Sequence, residues 1–426
     1  MNRFCHFIRS AAVVLMLSGC VSTPEPELPE RSAADEKDYI NASVMVQVMN
    51  ILNRHYIDEK KVTADQLFEA ALKGMVSSLD PYSGYEPPKD FRRLDSKRTG
   101  ELTGIGINII KPPSKYLYVL DVIPGSPAAA AKIMPGDNIK SINGKDLRKL
   151  NLFQCQQLLQ GPAGSRVTVD TVSGGKIIRK TLIRKKVINP SVNAVKVINS
   201  HIGYIRIASF TPHTPLEFMK AVKKLKKEEI DGLIIDLRNN TGGHVKAATE
   251  TLSQLLAPGT VLFTASRRNS KKTENLRSRK YRNVTADTQT PVVLLVNNFT
   301  ASSAELFSGA MRDHKRAQTV GSRTFGKGTL LNVIRLANGG ALRFSSGKYK
   351  TPAGTEIEGK GLMPEHRIQL SLKEMQQLAL QGRRFPGVIK PEIKNALTDR
   401  QLEKAVELLT SDEEDSFFTE EENDEI

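Results

Sequence analysis

The spacing of apolar residues divides the chain into three regions, one with a helical period and two with strand-like runs. From about 38 to 79 apolar residues recur near every 3.6 residues, which predicts helices that end at the turn Asp80-Pro81-Tyr82-Ser83. Between about 97 and 186 short strand-like runs alternate with glycine turns. From Ile202 onward longer apolar runs alternate with helical segments, which predicts a largely parallel sheet.

The third region carries this alternation in six segments. The strand-like segments are 203–207, 232–237 and 291–296, and the helical ones are 214–227, 245–256 and 303–314. We therefore predict the α/β fold class, as a mixed α/β core with an amino-terminal helical part and an inserted, small β-rich domain. The predicted divisions are 1–19 (signal peptide), 20–38 (flexible linker), 39–96 (helical part), 97–186 (β-rich domain), 187–410 (core) and 411–426 (disordered acidic tail).

The amino terminus has the pattern of an export signal. Arg3 and Arg9 precede an apolar run, 11–17, and small residues lead from it to Cys20. Such a segment is too short to stay as a membrane span. The run Leu17-Ser18-Gly19-Cys20 resembles the bacterial lipobox, which implies a lipidated Cys20 and a protein anchored to a membrane of the bacterial cell envelope, facing the periplasm. A simple cleaved signal with an incidental cysteine is the open alternative.

Composition narrows the classes of partner. The formal net charge is +16, although 411–426 holds nine acidic and no basic side chains. A basic body favours anionic surfaces, and nucleic acid would fit on charge alone, but a solvated basic face explains the same charge. Three cysteines, two of them in the first twenty residues, exclude a disulfide framework in the mature body. We predict no nucleic-acid partner, no cofactor and, since no cluster has metal-ligand spacing, no metal.

Two segments in the last third carry residues that are typical of a hydrolase. Ser302 follows a strand-like run and opens a predicted helix, and Lys327 lies in Thr324-Phe325-Gly326-Lys327-Gly328. A serine hydroxyl attacks an acyl carbon once a base takes its proton, and a desolvated lysine of lowered pKa can be that base. Because Ser302 to Glu305 also has the Ser-x-x-Glu spacing of a capping box, a purely structural serine is the alternative.

A glycine turn supplies candidate oxyanion donors. Backbone amides at Gly242 and Gly243, which follow a buried strand, could face a developing oxyanion together with the amide of Ser303. A tight turn without chemistry is the alternative. The run 321–328 also nearly spells a phosphate-binding P-loop, but Gly328 stands where Ser or Thr is needed and a strand-like run follows it. Nucleotide binding is therefore the weakest hypothesis.

The β-rich region resembles a PDZ domain. Gly104-Ile105-Gly106-Ile107 matches the peptide-binding loop of that fold, and three later turns match in order: Ile123 to Ala128, Gly136 to Ile139 and Ile142 to Gly144. Amides of such a loop accept a free carboxylate while the adjacent strand edge receives the preceding residues. The resemblance implies the carboxyl terminus of a polypeptide as ligand, and a small β domain without a ligand stays open.

Over roughly residues 40 to 410 the chain resembles the carboxyl-terminal processing protease family of serine peptidases. The motifs that carry the resemblance are Asp236 to Gly243, Ser302 to Glu305, Arg316-Ala317 with Val320-Gly321, Thr324 to Gly328, and Thr351-Pro352-x-Gly354 with Gly359 to Gly361. The resemblance implies Ser302 as nucleophile, Lys327 as general base, an oxyanion hole built from Gly242, Gly243 and Ser303, and substrate selection by the PDZ unit. Asp313 matches an acidic family position near the site, for a structural or a catalytic role.

The chain departs from the family's pattern at several positions, two of which are Tyr82 and Leu331. Tyr82 stands where histidine is more usual, and Leu331 stands where many members have a glutamine that orients the lysine amine. Either another polar group orients Lys327, or desolvation alone suffices, or activity is low. We predict an endopeptidase that acts on envelope polypeptides with accessible carboxyl termini. A lipid-anchored PDZ scaffold with a degenerate core is the alternative, and an adaptor protein stays open as a further partner.

Overall fold

The computed structural model describes residues 36–110, 116–150, 152–173, 176–268, 273–282, 284–381 and 397–417. These residues form two compact units, one up to Leu72 and one from Lys73 onward. The predicted signal peptide and Cys20 lie outside the described residues. Within those residues no helix combines the length and the apolar character that crossing a bilayer requires.

The first helices form where the 3.6-residue period predicts them, as α1 (Glu36–His55) and α2 (Ala64–Ser77). The Asp80 carboxylate then accepts hydrogen bonds from the amides of Tyr82 (2.7 Å) and Ser83 (2.8 Å) and closes the predicted turn. The strand β1 (Gly84–Glu86) and the helix α3 (Pro88–Thr99) follow. The apolar period does not predict α3, whose start is favoured by a proline in its first turn.

The β-rich unit is an antiparallel sheet with a separate two-stranded ribbon. Its elements are β2 (Glu101–Gly104), β3 (Ile107–Ile110), β4 (Leu117–Val122), α4 (Pro127–Ala130), β5 (Asn138–Ile142), β6 (Lys145–Asp146), α5 (Leu152–Leu159), β7 (Arg166–Ser173), β8 (Lys176–Ile183) and β9 (Lys185–Ile188). The sheet order is β3-β4-β5-β7-β8, and β2 pairs with β9. Ile105, Leu117, Ile139 and Val169 belong to a hydrophobic core of its own, so this unit is packed as a domain.

The α/β core follows the predicted alternation. Its elements are β10 (Val192–Ile198), β11 (Ile202–Ile207), α6 (Thr214–Leu225), β12 (Gly232–Asp236), α7 (Val245–Leu252), β13 (Val261–Arg267), β14 (Glu274–Arg277), β15 (Val292–Val296), α8 (Ser303–Asp313), β16 (Gln318–Gly321), β17 (Thr329–Arg335), β18 (Ala341–Lys350), β19 (His366–Arg367), α9 (Leu372–Gln381) and α10 (Arg400–Phe417). The main sheet has the order β10-β11-β12-β15-β16-β19, and its neighbours from β11 to β19 are parallel.

The central strands are buried on both faces, as in other parallel sheets covered by helices. Ile235 and Leu294 point into the hydrophobic core that includes α6, α7 and α8. Their neighbours Ile234 and Val293 point into a second core on the opposite face, where α10 packs. All five residues of β12 and of β15 are buried, which explains their continuous apolar runs. The predicted α/β class is confirmed.

A second sheet includes β17 and β18, the two strands that come next after Lys327. β17 pairs antiparallel with β18, whose other edge pairs with β1 and β13. The P-loop alternative needs a helix after Gly328, whereas β17 begins there. At the carboxyl end, α10 runs to Phe417, beyond residue 410, where we placed the start of a disordered tail, and 418–426 lie outside the described residues.

Candidate active site

The turns that follow β12 and β15 meet at one edge of the main sheet. Because these strands are parallel neighbours, their carboxyl ends lie side by side. The amide of Ala301 donates to the carbonyl oxygen of Asn240 (2.9 Å), and the Thr300 hydroxyl donates to the carbonyl oxygen of Leu237 (2.9 Å). These bonds fix the turn that carries Ser302 against the turn that carries the glycines.

Ser302 has an unusual backbone conformation for a residue that opens a helix. Its φ is +57° and its ψ is −123°, which costs a non-glycine residue about 1–3 kcal/mol. The serine is half-exposed, whereas Ala301 and Ser303 on either side of it are buried. A helix cap usually has ordinary β-region dihedrals, so capping alone does not call for this strain. The strained strand-to-helix turn presents the Ser302 side chain at the sheet edge.

A buried carboxylate joins the Ser302 turn to the Lys327 segment. Glu305 is 0% exposed. One oxygen, Oε2, accepts from the amides of Ser302 (2.9 Å) and Lys327 (2.8 Å). The other, Oε1, accepts from the Thr324 hydroxyl (2.6 Å) and the Gly326 amide (2.7 Å). Four donors therefore meet a group that, when ionised, only accepts hydrogen bonds.

Burial raises the pKa of Glu305 above its usual value, and hydrogen bonds from Thr324, Lys327, Gly326 and Ser302 act against that rise. Each bond favours the ionised form, so the four donors stabilise a carboxylate that has lost its water. The sequence predicts the contact between the Glu305 side chain and the backbone of Ser302 as half of a capping box, and it is present. The three bonds to residues 324–327 are not part of that motif.

A tyrosine holds the same two residues from their carbonyl side. The Tyr349 hydroxyl lies 2.8 Å from the carbonyl oxygen of Ser302 and 2.6 Å from that of Lys327. Burial and the charge of Glu305 raise the pKa of Tyr349 well above its usual value, so the hydroxyl keeps its proton as a donor. Glu305 and Tyr349 thus fix the backbones of Ser302 and Lys327 relative to each other.

The Lys327 amine is half-buried and lies over an aromatic ring. Its Nζ is 4.7 Å from the centre of the Tyr82 ring. Desolvation lowers the pKa of Lys327, and the positive charge of Arg343 lowers it further, while Glu358 and Asp80 act in the opposite direction. A lysine in such surroundings loses its proton more readily than one in water.

Tyr82 and Glu358 complete the surroundings of the amine. Burial raises the pKa of Tyr82, and the Glu358 carboxylate raises it further. Glu358 accepts from the Gly328 amide (2.9 Å) and the Thr329 hydroxyl (2.5 Å), so it is tied to the chain that follows Lys327. Leu331, where the family often has an orienting glutamine, lies half-buried on β17 opposite Ser345.

The glycine turn lies directly against the Ser302 turn. A side-chain carbon built on Gly242, whose φ is +94°, would lie 2.9 Å from Ser302 Cβ and 3.1 Å from the Ser303 amide nitrogen. One built on Gly243 would lie 2.1 Å from the Phe210 carbonyl oxygen. Only glycine fits at either position. The structure therefore places Gly242 against Ser302 and Ser303, and Gly243 against Phe210.

The amides of this turn differ in their partners. The Gly242 amide donates to the Asn240 side-chain oxygen at 2.9 Å, so the described geometry uses it to hold the turn. The buried Asn240 also donates from its amide group to the Ile207 carbonyl oxygen (2.9 Å). This leaves the amides of Gly243 and Ser303 as the pair to consider for an oxyanion, with Gly242 contributing close approach through its missing side chain.

The predicted peptide-binding loop lies in the β-rich domain between β2 and β3. The Gly106 carbonyl oxygen accepts from the Ile123 amide (3.0 Å) and the Ser126 hydroxyl (3.2 Å), which fixes the loop from inside. Ile105 is buried, and Ile107 begins β3, an edge strand of the antiparallel sheet. A built side-chain carbon on Gly104 would contact the carbonyl oxygen of Leu159, the last residue of α5. The loop thus lies between a free strand edge and the end of α5.

Several residues of the site escape sequence reasoning. Tyr349 and Glu358 give no signal because each contacts the site across a long stretch of chain. Asp313, which the sequence leaves between two roles, accepts from the Ala353 amide (2.8 Å) and pairs with Arg312 (2.7 Å), contacts that stabilise a helix end. Asp236 is buried against Arg238 (2.7 Å), and Arg238 also binds Asp399, so this motif residue links β12 to the segment before α10.

Comparison with known proteins identifies two matching family models. The model described as peptidase family S41 matches residues 201–368, and the PDZ domain model matches residues 93–171. The chain is 30% identical to a carboxyl-terminal-processing protease of Picosynechococcus over 88% of this chain and 86% of that protein. It is 32% identical to a carboxy-terminal-processing protease of Bartonella bacilliformis over 72% and 71% of the two chains.

The solved structures that match this chain include one with the same fold. It is described as an S41 protease from Bacteroides fragilis, with 16% sequence identity and a TM-score of 0.54 over 86% of this chain and 97% of that one. At this identity the likeness concerns the arrangement of the backbone.

Exchange of Glu305 tests the buried carboxylate. In the Glu305→Gln variant an amide donor faces hydrogen-bond donors, so we expect the free energy of unfolding to fall by about 2–3 kcal/mol. Glu356→Gln is the matched control, because that side chain is 53% exposed and should change stability by about 0.5 kcal/mol or less. Urea unfolding measures both. Equal stability of the two variants would show that the four contacts to Glu305 do not stabilise the fold.

Proposed function

This chain belongs to peptidase family S41 and is a serine peptidase of the carboxyl-terminal processing type, and from that premise we propose that Ser302 is its nucleophile and Lys327 its general base. The observation that supports this assignment best is the Glu305 carboxylate, which accepts hydrogen bonds from the amides of both residues. A fold that only needed to cap a helix would gain nothing from holding Lys327 on the same carboxylate oxygen.

The proposed reaction needs only groups of this chain and water. The neutral amine of Lys327 removes the proton of the Ser302 hydroxyl, and the serine oxygen bonds to the carbonyl carbon of the scissile peptide. The amides of Gly243 and Ser303 hold the oxyanion, each donor contributing ~3 kcal/mol in the transition state. The ammonium of Lys327 then returns its proton to the leaving amine. Water, deprotonated by the same lysine, hydrolyses the acyl-enzyme.

The contact between Lys327 and Tyr82 supports one of the three explanations for the missing glutamine. The face of an aromatic ring attracts an ammonium group, so Tyr82 positions the amine without a hydrogen bond. Desolvation acts against that attraction and favours the neutral form that a general base requires. We therefore propose an active peptidase, with a scaffold of degenerate core as the second candidate, motivated by Leu331.

Polypeptide substrates follow from a peptidase with a PDZ domain, and we propose that their carboxyl termini dock on the loop Gly104 to Ile107. The free edge of β3 can add the last residues of a substrate as a strand, and the loop amides can accept its carboxylate. The partly buried Leu152 and Leu158 of α5 would contact the side chains of that strand. The remaining chain would then reach Ser302.

Location in the cell envelope stays a prediction. It depends on Cys20 and the segment before it, which lie outside the described residues. If Cys20 is lipidated, the substrates we propose are envelope proteins. Membrane fractionation of a Cys20→Ser variant beside the parent tests this location. If the lipid on Cys20 anchors the protein, the variant lacks that anchor and should move to the soluble fraction.

The dyad predicts that Ser302→Ala and Lys327→Ala each lower the digestion of an unfolded protein by about a thousandfold or more. Lys360→Ala is the matched control, since Lys360 also lies between two glycines but is exposed and pairs with Glu356 (3.1 Å). It should digest the substrate like the parent. Equal and negligible digestion by the parent and Ser302→Ala would leave only the scaffold.

The pH dependence of cleavage should report the proton on Lys327. The base works only when neutral, so kcat/KM should rise with pH through the lowered pKa of Lys327. The charge of Arg343 lowers that pKa, and its removal in Arg343→Gln should raise it, which moves the acidic limb of the profile to higher pH. Arg343→Lys keeps the charge and should leave the limb in place. A limb that stays put or moves to lower pH in Arg343→Gln would rule out Lys327 as the titrating base.

Recognition of the carboxyl terminus predicts a difference between two forms of one peptide. Amidation of the terminal carboxylate removes the charge that the loop amides accept, so KM should rise about tenfold with little change in kcat. The free acid and the amide of a single peptide, measured with the full chain, give the comparison. A peptide in which one internal glutamate is replaced by glutamine, with its terminal carboxylate free, controls for loss of charge elsewhere. Equal KM values for acid and amide would exclude docking through the carboxylate.

A further inference from the structure

A cavity of about 520 Å³ is lined in part by Tyr82, the residue whose ring contacts the Lys327 amine. Its lining also includes Glu358, which is bonded to Gly328 and Thr329. The volume falls within the range of ligand sites, roughly 300–1,000 Å³. A substrate that reaches Ser302 therefore passes close to a space that can hold one or more of its side chains.

The second sheet forms one wall of this cavity. Lys348 on β18 lies opposite Thr329 on β17 and opposite Ser266 on β13. Residues directly opposite each other on neighbouring strands share a face of the sheet, and all three line the cavity. The register of the strands thus directs Lys348 into the cavity beside the first residue of β17.

The two carboxylates in the lining are already used inside the protein. Asp80 accepts from the amides of Tyr82 and Ser83 and from the Ser83 hydroxyl (2.7 Å). Glu358 accepts from the Gly328 amide and the Thr329 hydroxyl. Both oxygens of Asp80 and one oxygen of Glu358 therefore accept from fixed donors of the protein, which leaves these groups fewer lone pairs for a ligand.

Among the described residues, the three cations in the lining have no close ion pair. Arg267 lies 3.9 Å from Glu274, which is a long contact. No carboxylate of the described residues forms an ion pair with the exposed side chains of Arg268 or Lys348. Cations that are unpaired in a concave space raise the local potential and attract an anion. A guanidinium also offers several fixed donors that match a carboxylate.

We propose that this cavity is a substrate subsite that binds an acidic side chain of the polypeptide near the bond that is cleaved, with Lys348, Arg268 and Arg267 as the residues that determine this specificity. The proposal rests on the proposed function, because it places the subsite beside Lys327. It differs from the PDZ loop in its ligand, which is an internal glutamate or aspartate and not a carboxyl terminus. As a consequence, the peptidase should prefer substrates that carry an acidic residue at this position.

Peptide pairs with one carboxyl-terminal sequence isolate this subsite from the PDZ loop. In each pair a single glutamate is exchanged for glutamine, and the exchanged position moves along both sides of the cleaved bond. We expect one position at which the parent cleaves the glutamate peptide with a kcat/KM about fivefold higher than the glutamine peptide, and with a preference that declines in high salt. Lys348→Glu should reverse it, so that a lysine at that position is preferred.

Lys350→Glu is the control for the charge reversal. Lys350 lies on the same strand and is exposed, but it does not line the cavity. It should keep the preference of the parent. Thermal unfolding of all variants checks the fold, and Arg268→Glu provides a second reversal that leaves the β18 ladder intact.

The outcomes separate the two proposals. If neither the parent nor Ser302→Ala cleaves any of the peptides, the proposed function is wrong. Cleavage by the parent without a glutamate preference at any position overturns the subsite alone. A glutamate preference that persists unchanged in both Lys348→Glu and Arg268→Glu also overturns the subsite, because the preference then arises elsewhere. Reversal in both variants, with the parent's preference in Lys350→Glu, supports the subsite.

Discussion

The active site depends on a negative charge that has no contact with water. Glu305 stands on the first turn of α8, where a helix end favours an acidic residue, and its carboxylate accepts hydrogen bonds from four donors on two separate segments. A buried charge of this kind is stable only while all of its donors remain in place. The requirement runs in both directions: the carboxylate orders the turn of Ser302 and the segment of Lys327, and the donors of those segments act against the rise in the pKa of Glu305 that burial causes.

The main sheet brings the turn of Ser302 next to the glycine turn. Parallel neighbours such as β12 and β15 end at one edge, so two turns that are distant in sequence become adjacent without any special contact. Lys327 arrives by another route, since its segment leaves β16 and enters the second sheet through β17. The site thus lies where the chain passes from the main sheet to the second sheet. Tyr349, on β18, contacts the carbonyl oxygens of Ser302 and Lys327 there.

The sequence predicts the fold and much of the site because their signals are local. Apolar runs of β12 and β15, the glycines at 242 and 243, and the Ser-x-x-Glu spacing at 302 can each be interpreted within a few residues. The surroundings of the Lys327 amine are different. Tyr82 belongs to a turn before the β-rich domain and Glu358 to a loop after β18, and no periodicity relates either to Lys327. The helix α3 escapes prediction because its charged residues hide its apolar period.

Glu305 and Tyr349 hold Lys327 through its peptide groups and leave its side chain free of that duty. The backbone of Lys327 therefore supports the structure, while its side-chain amine is left for the chemistry. Replacement of the lysine that we propose as the base would abolish that chemistry while the backbone hydrogen bonds around it persisted, so lineages with this fold could drift toward inactive binding proteins without passing through an unfolded intermediate. The same division between backbone and side chain makes the site a tolerant host for engineered amines or other artificial bases.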